Sequence, residues 1–492
     1  MYGISFHEIV DILKKTGLII LVYLLSGIVL SAQPANYWSV SFNSEASLLA
    51  GAVVGGNSDI TSIYYNPAGI AEIENKKIAL NANLFNLSYT NYKNALGTGL
   101  GLDYLGFTVQ PRFISYIFKL KSAEKLVWQF AIFNRNTKRV SVYDQIEKPV
   151  QLLKPPNKEN YTGNLDFVND YLDSWGGFGI AYELNTNFTI GVSLLFSIKD
   201  FAYMNLININ IHPVVESLPD TVDYYTAYSD NYEKIVSYDV RALGKIGIRY
   251  QIDRLSLGLN ISLPSVRLFG NSDVKRNISN AGILDGDEVV EDVYINESAN
   301  YLKSGFKDPL SISLGFKYKD LSGRNSYYFT TEYFYKIDTY KAIDGTQVVS
   351  NEYEPGTDFL SYKFGAKSIV NFAVGWQMQA SEKFELLFGF RTNFNPYSVS
   401  AEGEFSEIKE FIIPITNLYH LTGGSKFNYK KLSVIAGLEF VTGRTKGLTE
   451  FVNFSEPAIR PGNNLALSGI KNNNMTYINN IVGLYFGFTL GF

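Results

Sequence analysis

Three histidines, His7, His212 and His420, are the residues of this 492-residue chain best suited to acid–base or metal chemistry, and their surroundings offer neither. A hydrolytic triad needs an imidazole beside a nucleophile and an orienting acid, and a metal centre needs several converging donors. His7 lies in an N-terminal apolar segment, His212 in a long polar stretch and His420 within an alternating run. The absence of cysteine excludes disulfides, thiolate ligands, thiol nucleophiles and a lipidated N-terminal Cys. Asp285-Gly286-Asp287-Glu288 has the oxygen density of a cation loop but reads as a solvated acidic turn. The chain is therefore expected to be no enzyme, with no metal and no cofactor.

The more informative charges recur within runs of period two: Lys199, Arg241, Lys245, Arg249, Lys317, Glu332, Lys336, Glu385, Arg391 and Glu439. Each sits opposite in parity to a row of apolar residues, so each is assigned to the inner face of a strand. Two readings follow. These groups pair with one another and with Glu45, Asp59 and Glu72 of the N-terminal segment. Alternatively, one inward cation, Arg249 or Arg391, with Arg241 and Lys317 as further candidates, holds a ligand carboxylate.

The elements that must position these charges are long strands. Val482, Leu484, Phe486, Phe488, Leu490 and Phe492 alternate with Gly483, Tyr485, Gly487, Thr489 and Gly491, and similar runs occur at Leu255–Leu263, Leu310–Lys317 and Phe384–Arg391. The runs reach about ten residues or more, the length a tilted membrane-crossing strand needs. No charge interrupts their apolar face, where one exposed to lipid costs roughly 2–4 kcal/mol. Trp128, Tyr250, Tyr333 and Tyr335 fall near run ends, as an interfacial girdle requires. Charged residues make up 18% of the chain, below the roughly 25% of soluble domains, and the net charge of -4 argues against nucleic acid.

Connections alternate in length. Lys121–Lys125, Asn185–Asn187, Asp253–Arg254, Leu321–Asn325, Ser381–Lys383 and Asn428–Lys431 are short, whereas Val142–Leu172, Asn205–Lys234, Asn271–Phe306 and Thr445–Met475 are long and polar. Short turns at one end and long loops at the other mark a transmembrane β-barrel. Strands are expected near 76–90, 105–120, 125–140, 173–184, 188–204, 235–252, 255–269, 308–320, 326–340, 362–380, 384–395, 417–429, 432–444 and 477–492. The fold class is an all-β, about 14-stranded antiparallel barrel with both ends and every short turn periplasmic.

Ahead of the barrel, Lys14 and Lys15, the apolar run Leu18–Leu30 and the small residues Ser31 and Ala32 form a secretory signal, giving residues 1–33 as a signal peptide. Residues 34–75 break the alternation, and 76–492 form the barrel. Within 34–75, Leu48–Leu49, Val53–Val54 and Ile63–Tyr65 need burial, which a plug inside the lumen supplies. Asn66 suits a helix N-cap and Pro67 the first helical position.

Ala50–Gly56 (Ala-Gly-Ala-Val-Val-Gly-Gly), followed by Tyr65-Asn66-Pro67-Ala68-Gly69 and then a strand, resembles the FadL/TodX family of outer-membrane transporters of hydrophobic compounds. The resemblance implies a fourteen-stranded barrel with an N-terminal hatch containing Asn66, Pro67, Ala68 and Gly69. It also implies uptake of long-chain fatty acids or aromatic hydrocarbons. Gly491–Phe492 is similar to the aromatic C-terminal signal read by the assembly machinery. The family's third strand kinks inward and opens the wall; here Asn134-Arg135-Asn136 interrupts the third strand and Pro111 the second. The expected partners are outer-membrane lipid and lipopolysaccharide, a hydrophobic ligand and the assembly machinery. A barrel holding a surface or secretion-system protein, and an open porin for polar solutes, are the alternative functions.

Overall fold

The computed structural model describes residues 36–38, 42, 44–56, 59–73, 77–119, 125–214, 224–345, 358–397, 409–410, 416–462 and 465–491. The expected signal peptide and Phe492 lie outside these residues.

The strands are β1 Lys77–Lys93, β2 Leu102–Lys119, β3 Leu126–Val150, β4 Glu159–Asn185, β5 Phe188–Pro213, β6 Ala227–Ile252, β7 Leu255–Ser262 and β8 Val266–Ala281. They continue with β9 Leu284–Asp285, β10 Glu288–Val289, β11 Val293–Ser304, β12 Ser311–Lys319, β13 Asn325–Phe334, β14 Ile337–Asp344, β15 Tyr362–Ala366 and β16 Ile369–Ser381. The last are β17 Phe384–Asn393, β18 Lys409–Glu410, β19 Leu418–Tyr429, β20 Leu432–Leu448 and β21 Met475–Gly491. Neighbours around the ring pair antiparallel, and β21 pairs with β1, so the sheet closes on itself.

Four ring positions hold a strand in two pieces: β7 with β8, β11 with β12, β13 with β14, and β15 with β16. Pro264 falls in the first break and Pro309 in the second, where the missing N–H would leave a ladder gap. With each of these counted once, the described residues form a ring of fourteen strands. Tight turns such as Asp253–Arg254 and Lys430–Lys431 share one end with the start of β1 and the end of β21. Asp253 and Lys430 take positive φ of 47° and 54° to make them.

In the membrane band the outward row is apolar. On β5, Ile190, Val192, Leu194, Phe196 and Ile198 are exposed, while Gly191, Ser193, Ser197 and Lys199 are buried. Beyond Lys199 the ladders with β4 and β6 continue without a register shift, yet the chemistry of the two faces inverts. Phe201, Tyr203, Ile207, Ile209 and Ile211 now face inward and are buried, with Asn208, Asn210 and His212 outward.

This inversion corrects the expected loops. Most of Val142–Leu172, Asn205–Lys234 and Asn271–Phe306 is strand, because β3 to β6, β8 and β11 run on past the membrane as a tall wall around an apolar core. The connections themselves shorten to stretches such as 151–158 and 282–292. Lys336 is also corrected. The break between β13 and β14 resets parity there, so Lys336 faces outward, 52% exposed, and pairs with Asp338.

The described residues between 36 and 73 lie inside the ring. They include α1 Glu45–Leu48, α2 Ser62–Tyr65 and a 3₁₀ turn Pro67–Glu72. One apolar cluster joins Phe42, Ile63, Tyr64 and Ile70 to Phe113, Phe133 and Trp175; a second joins Leu48, Leu49 and Val53 to Tyr328, Leu387 and Tyr485.

Candidate functional site

The inner segment is held by short polar ties that its sequence sets up. Asn66 caps the 3₁₀ turn: its Oδ1 accepts from the Ala68 N–H at 3.1 Å, and Pro67 fills the next position. Its Nδ2 donates to Val54 O at 2.8 Å and to Ile248 O on β6 at 3.2 Å, so one side chain closes the segment on itself and pins it to the wall. Thr422 Oγ1 donates to Leu48 O at 2.7 Å, Ser193 Oγ to Ile63 O at 3.0 Å, and Gln129 to Ile60 O. Two ion pairs add to these, Glu45 with Lys426 at 2.6 Å and Glu72 with Arg249.

The wall meets the segment through glycine. A Cβ on Gly191 would strike the Pro67 carbonyl, on Gly247 the Asn66 amide, on Gly258 Val54 O, and on Gly389 the Leu49–Ala50 peptide, all within 3 Å. These positions belong to β5, β6, β7 and β17, and Gly315 of β12 faces Gly55 in the same way. Backbone therefore lies on backbone along much of the ring, leaving no room for a solute between them. On β2 to β4 the contact is instead made largely by apolar side chains such as Phe113, Phe133 and Trp175.

The four cations singled out from the sequence fall in different settings. Arg241 pairs with Asp239 at 3.2 Å and donates to Ser265 Oγ at 2.7 Å. Arg249 meets Glu72 and donates to Ser256 Oγ at 2.7 Å. Arg391 lies 3.2 Å from Glu439 and 3.1 Å from His420 Nδ1. Lys317 stands over the Tyr328 ring at 5.2 Å.

Sequence reasoning missed a buried network just outward of the plug. Asp308 receives Lys199 at 2.7 Å and Arg135 at 3.4 Å, and Arg135 also reaches Asp173 at 3.1 Å while lying over Trp175 at 4.7 Å. Arg135 was visible only as an interruption of the third strand, and Asp308 sits in the β11–β12 break, where parity carries no information.

That interruption is a bulge. The β3–β4 register shifts between Asn134 and Asn136, and Arg135 turns inward. On its other side, β3 pairs with β2 only between Val127–Phe133 and Phe113–Lys119. Outward of Phe113, β2 is laddered to β1, and outward of Phe133, β3 is laddered to β4. Among the described residues the wall is therefore unzipped along this seam, beside exposed Leu105 and Phe107. Pro111 adds a register shift on the β1 side.

Between the plug and the wall lies a cavity of about 390 Å³, its open mouth included, lined by Trp38, Tyr64, Tyr65, Lys245, Asn260 and Arg391 among others. Lys245 Nζ stands 4.3 Å above the Tyr64 ring. Outward of the network the lumen is filled by the apolar core. There Phe451 of the last long connection stacks on Phe167 at 5.1 Å, and Phe454 meets Tyr161.

By sequence, no protein-family model and no curated protein matches the chain. By structure, it is similar to a Pseudomonas aeruginosa FadL homologue, 11% identical, with 93% of this chain and 100% of that chain covered and a TM-score of 0.54. The Ralstonia pickettii toluene transporter TbuX (12% identical, 89% and 96% covered) and the P. putida toluene transporter TodX (12%, 89% and 95%) each superpose with a TM-score of 0.51. The fold is that of the FadL-type barrels. The resemblance noted at Ala50–Gly69 therefore extends to the architecture of 93% of the chain. In this FadL-type barrel the Asn66–Gly69 turn lies inside the lumen, and the unzipped seam follows the third strand.

Proposed function

We propose that the protein is a passive outer-membrane transporter of hydrophobic small molecules, with residues 34–75 as its hatch. The carrying observation is the inversion of face chemistry along the tall strands. The apolar core that the tall wall encloses beyond the membrane band offers a hydrophobic solute burial at about 25 cal/mol per Å² of apolar surface where its packing yields. Below it, the buried charges and the glycine-seated plug oppose a straight aqueous path. The β2–β3 seam supplies a sideways exit towards lipid. The fold's likeness to toluene transporters and a FadL homologue supports this reading, with long-chain fatty acids or aromatic hydrocarbons as cargo.

In this reading the tall wall and long connections face outside, the turns and both chain ends are periplasmic, and lipid and lipopolysaccharide surround the band. Phe492 engages the assembly machinery. Transport of this kind needs no catalytic residue and no cofactor. Deleting Pro34–Asn75 is expected to change uptake of labelled oleate or toluene while the barrel still assembles. Unchanged uptake would sink the gating role, and a large single-channel conductance of the intact protein would point to an open porin instead.

A further inference from the structure

The short turns carry a charge that the transport reading does not use. The chain as a whole has a net charge of -4. At the end where β1 starts and β21 finishes, the described turn residues reverse that sign. Six cations, Lys125, Arg254, Arg324, Lys383, Lys430 and Lys431, stand against three acids, Asp253, Asp320 and Glu382. Of these acids, Asp320 is already engaged within its own turn, by Ser322 Oγ and Asn325 Nδ2.

Half of those cations gather at two adjacent turns. The Asn428 N–H donates to Lys383 O at 2.9 Å, which seats the β16–β17 turn beside the β19–β20 turn. Lys383 Nζ and Lys430 Nζ stand 5.9 and 5.5 Å from the centre of one ring, that of Tyr429, which is 50% exposed. Lys431 follows directly. Among the described residues none of the three lysines has an ion pair: Glu385 faces the lumen, where Lys426 and Asn428 meet it, and Glu382 pairs with none of them. Lys430 takes its positive φ where Asn or Gly would sit at less cost, so this turn bears a charge that its backbone does not favour.

Beside the same turns the lipid-facing row presents Phe384, Phe427 and Leu432, all exposed. Phe384 is the cross-strand neighbour of Phe427, and Leu432 that of Tyr429. From the band to the rim the surface is therefore apolar, then aromatic, then cationic. A phospholipid repeats that order with its acyl chains, its glycerol and its phosphate. Lysine stems lie along apolar surface while their ammoniums reach the headgroups, and a basic cluster beside a bilayer attracts anionic lipid.

We propose that the paired turns Glu382–Lys383 and Lys430–Lys431 bind the headgroup of an anionic phospholipid. The phosphate lies between Lys383 and Lys430 beside Tyr429, Lys431 adds to the field, and the acyl chains run along Phe384, Phe427 and Leu432. The site depends on the barrel and its lipid-facing band, not on what the lumen carries.

Native mass spectrometry of the full chain in detergent tests it, with phosphatidylglycerol and phosphatidylcholine of identical acyl chains. Wild-type protein is expected to retain about fivefold more phosphatidylglycerol. Lys383→Gln, Lys430→Asn and Lys431→Gln together should abolish that preference, Asn being suited to the left-handed conformation at 430. Replacing all three by Arg should keep it, as should Arg254→Gln with Arg324→Gln at other turns. Equal retention of the two lipids by the wild type, or an unchanged preference in the folded triple variant, overturns the proposal. So does an equal loss in the Arg254→Gln, Arg324→Gln variant, because the charge of the whole rim would then hold the lipid. Adducts formed as readily with glycerol 3-phosphate, which has no acyl chains, overturn the lipid assignment. Should the triple variant fail to assemble, the wild-type comparison and the Arg254→Gln, Arg324→Gln variant decide. Toluene or oleate uptake is expected unchanged in the triple variant, so refuting this site leaves the transport reading standing.

Discussion

Asp308 shows what a single residue carries here. It is 4% exposed and receives both Lys199 and Arg135, so its charge is the counter-ion for two cations from β3 and β5. Removing one partner of a buried pair leaves the other uncompensated, at a cost of roughly 3–5 kcal/mol. Asp308→Asn is therefore expected to lower the urea midpoint of the detergent-solubilised barrel, read by gel mobility of the folded form. Lys199 was legible as an inward charge because it lies in a strand of clean parity. Its partner was not, since Asp308 follows a Gly305–Phe306 interruption and meets Lys199 only across 109 positions of sequence. The cap at Asn66 was legible, because capping is local and the Asn-Pro pair states it; its ties to Val54 and Ile248 were not.

At the scale of elements, the hatch and the wall fit through glycine. Gly258 and Gly389 were recognisable as small inward positions, but nothing local revealed that the hatch backbone needs their missing Cβ. Gly258→Ala puts a methyl onto Val54 O. Overpacking of this kind costs typically about 1–3 kcal/mol. We expect the barrel to assemble with a displaced hatch, seen as faster hydrogen exchange at Val53–Gly56 and increased conductance. The seam gives a second expectation. Beyond Phe133, the β3 amides directed away from β4 have no ladder partner on β2. They should exchange at least tenfold faster than amides of the doubly paired β5, measured by mass spectrometry on overlapping peptides. Comparable protection along both strands would argue against an unzipped wall.

At the scale of the whole molecule, a ring of fourteen strands with its hatch removed has an open lumen lined in the membrane band by groups such as Lys199, Arg249 and Glu385. A barrel lacking 34–75 should conduct ions in planar bilayers at levels well above the intact protein. A non-conducting deletion barrel would mean that the outer apolar core closes the pore by itself. That core, stapled by Phe451 and Phe454 from one long connection, makes the outer wall a folded body rather than a set of mobile loops.

The sequence by itself determined the fold class, because period-two alternation over ten residues reports which face meets lipid. It also set 34–75 apart from the strands, because that stretch breaks the period and carries its own cap. It misjudged the height of the wall, since beyond the membrane the outward row turns polar and the alternation inverts, which reads locally as loop. Only the tertiary structure decided which charges meet, where the wall opens and what the hatch leaves unfilled. Those depend on strands brought together across the ring, at separations where no local pattern carries the information.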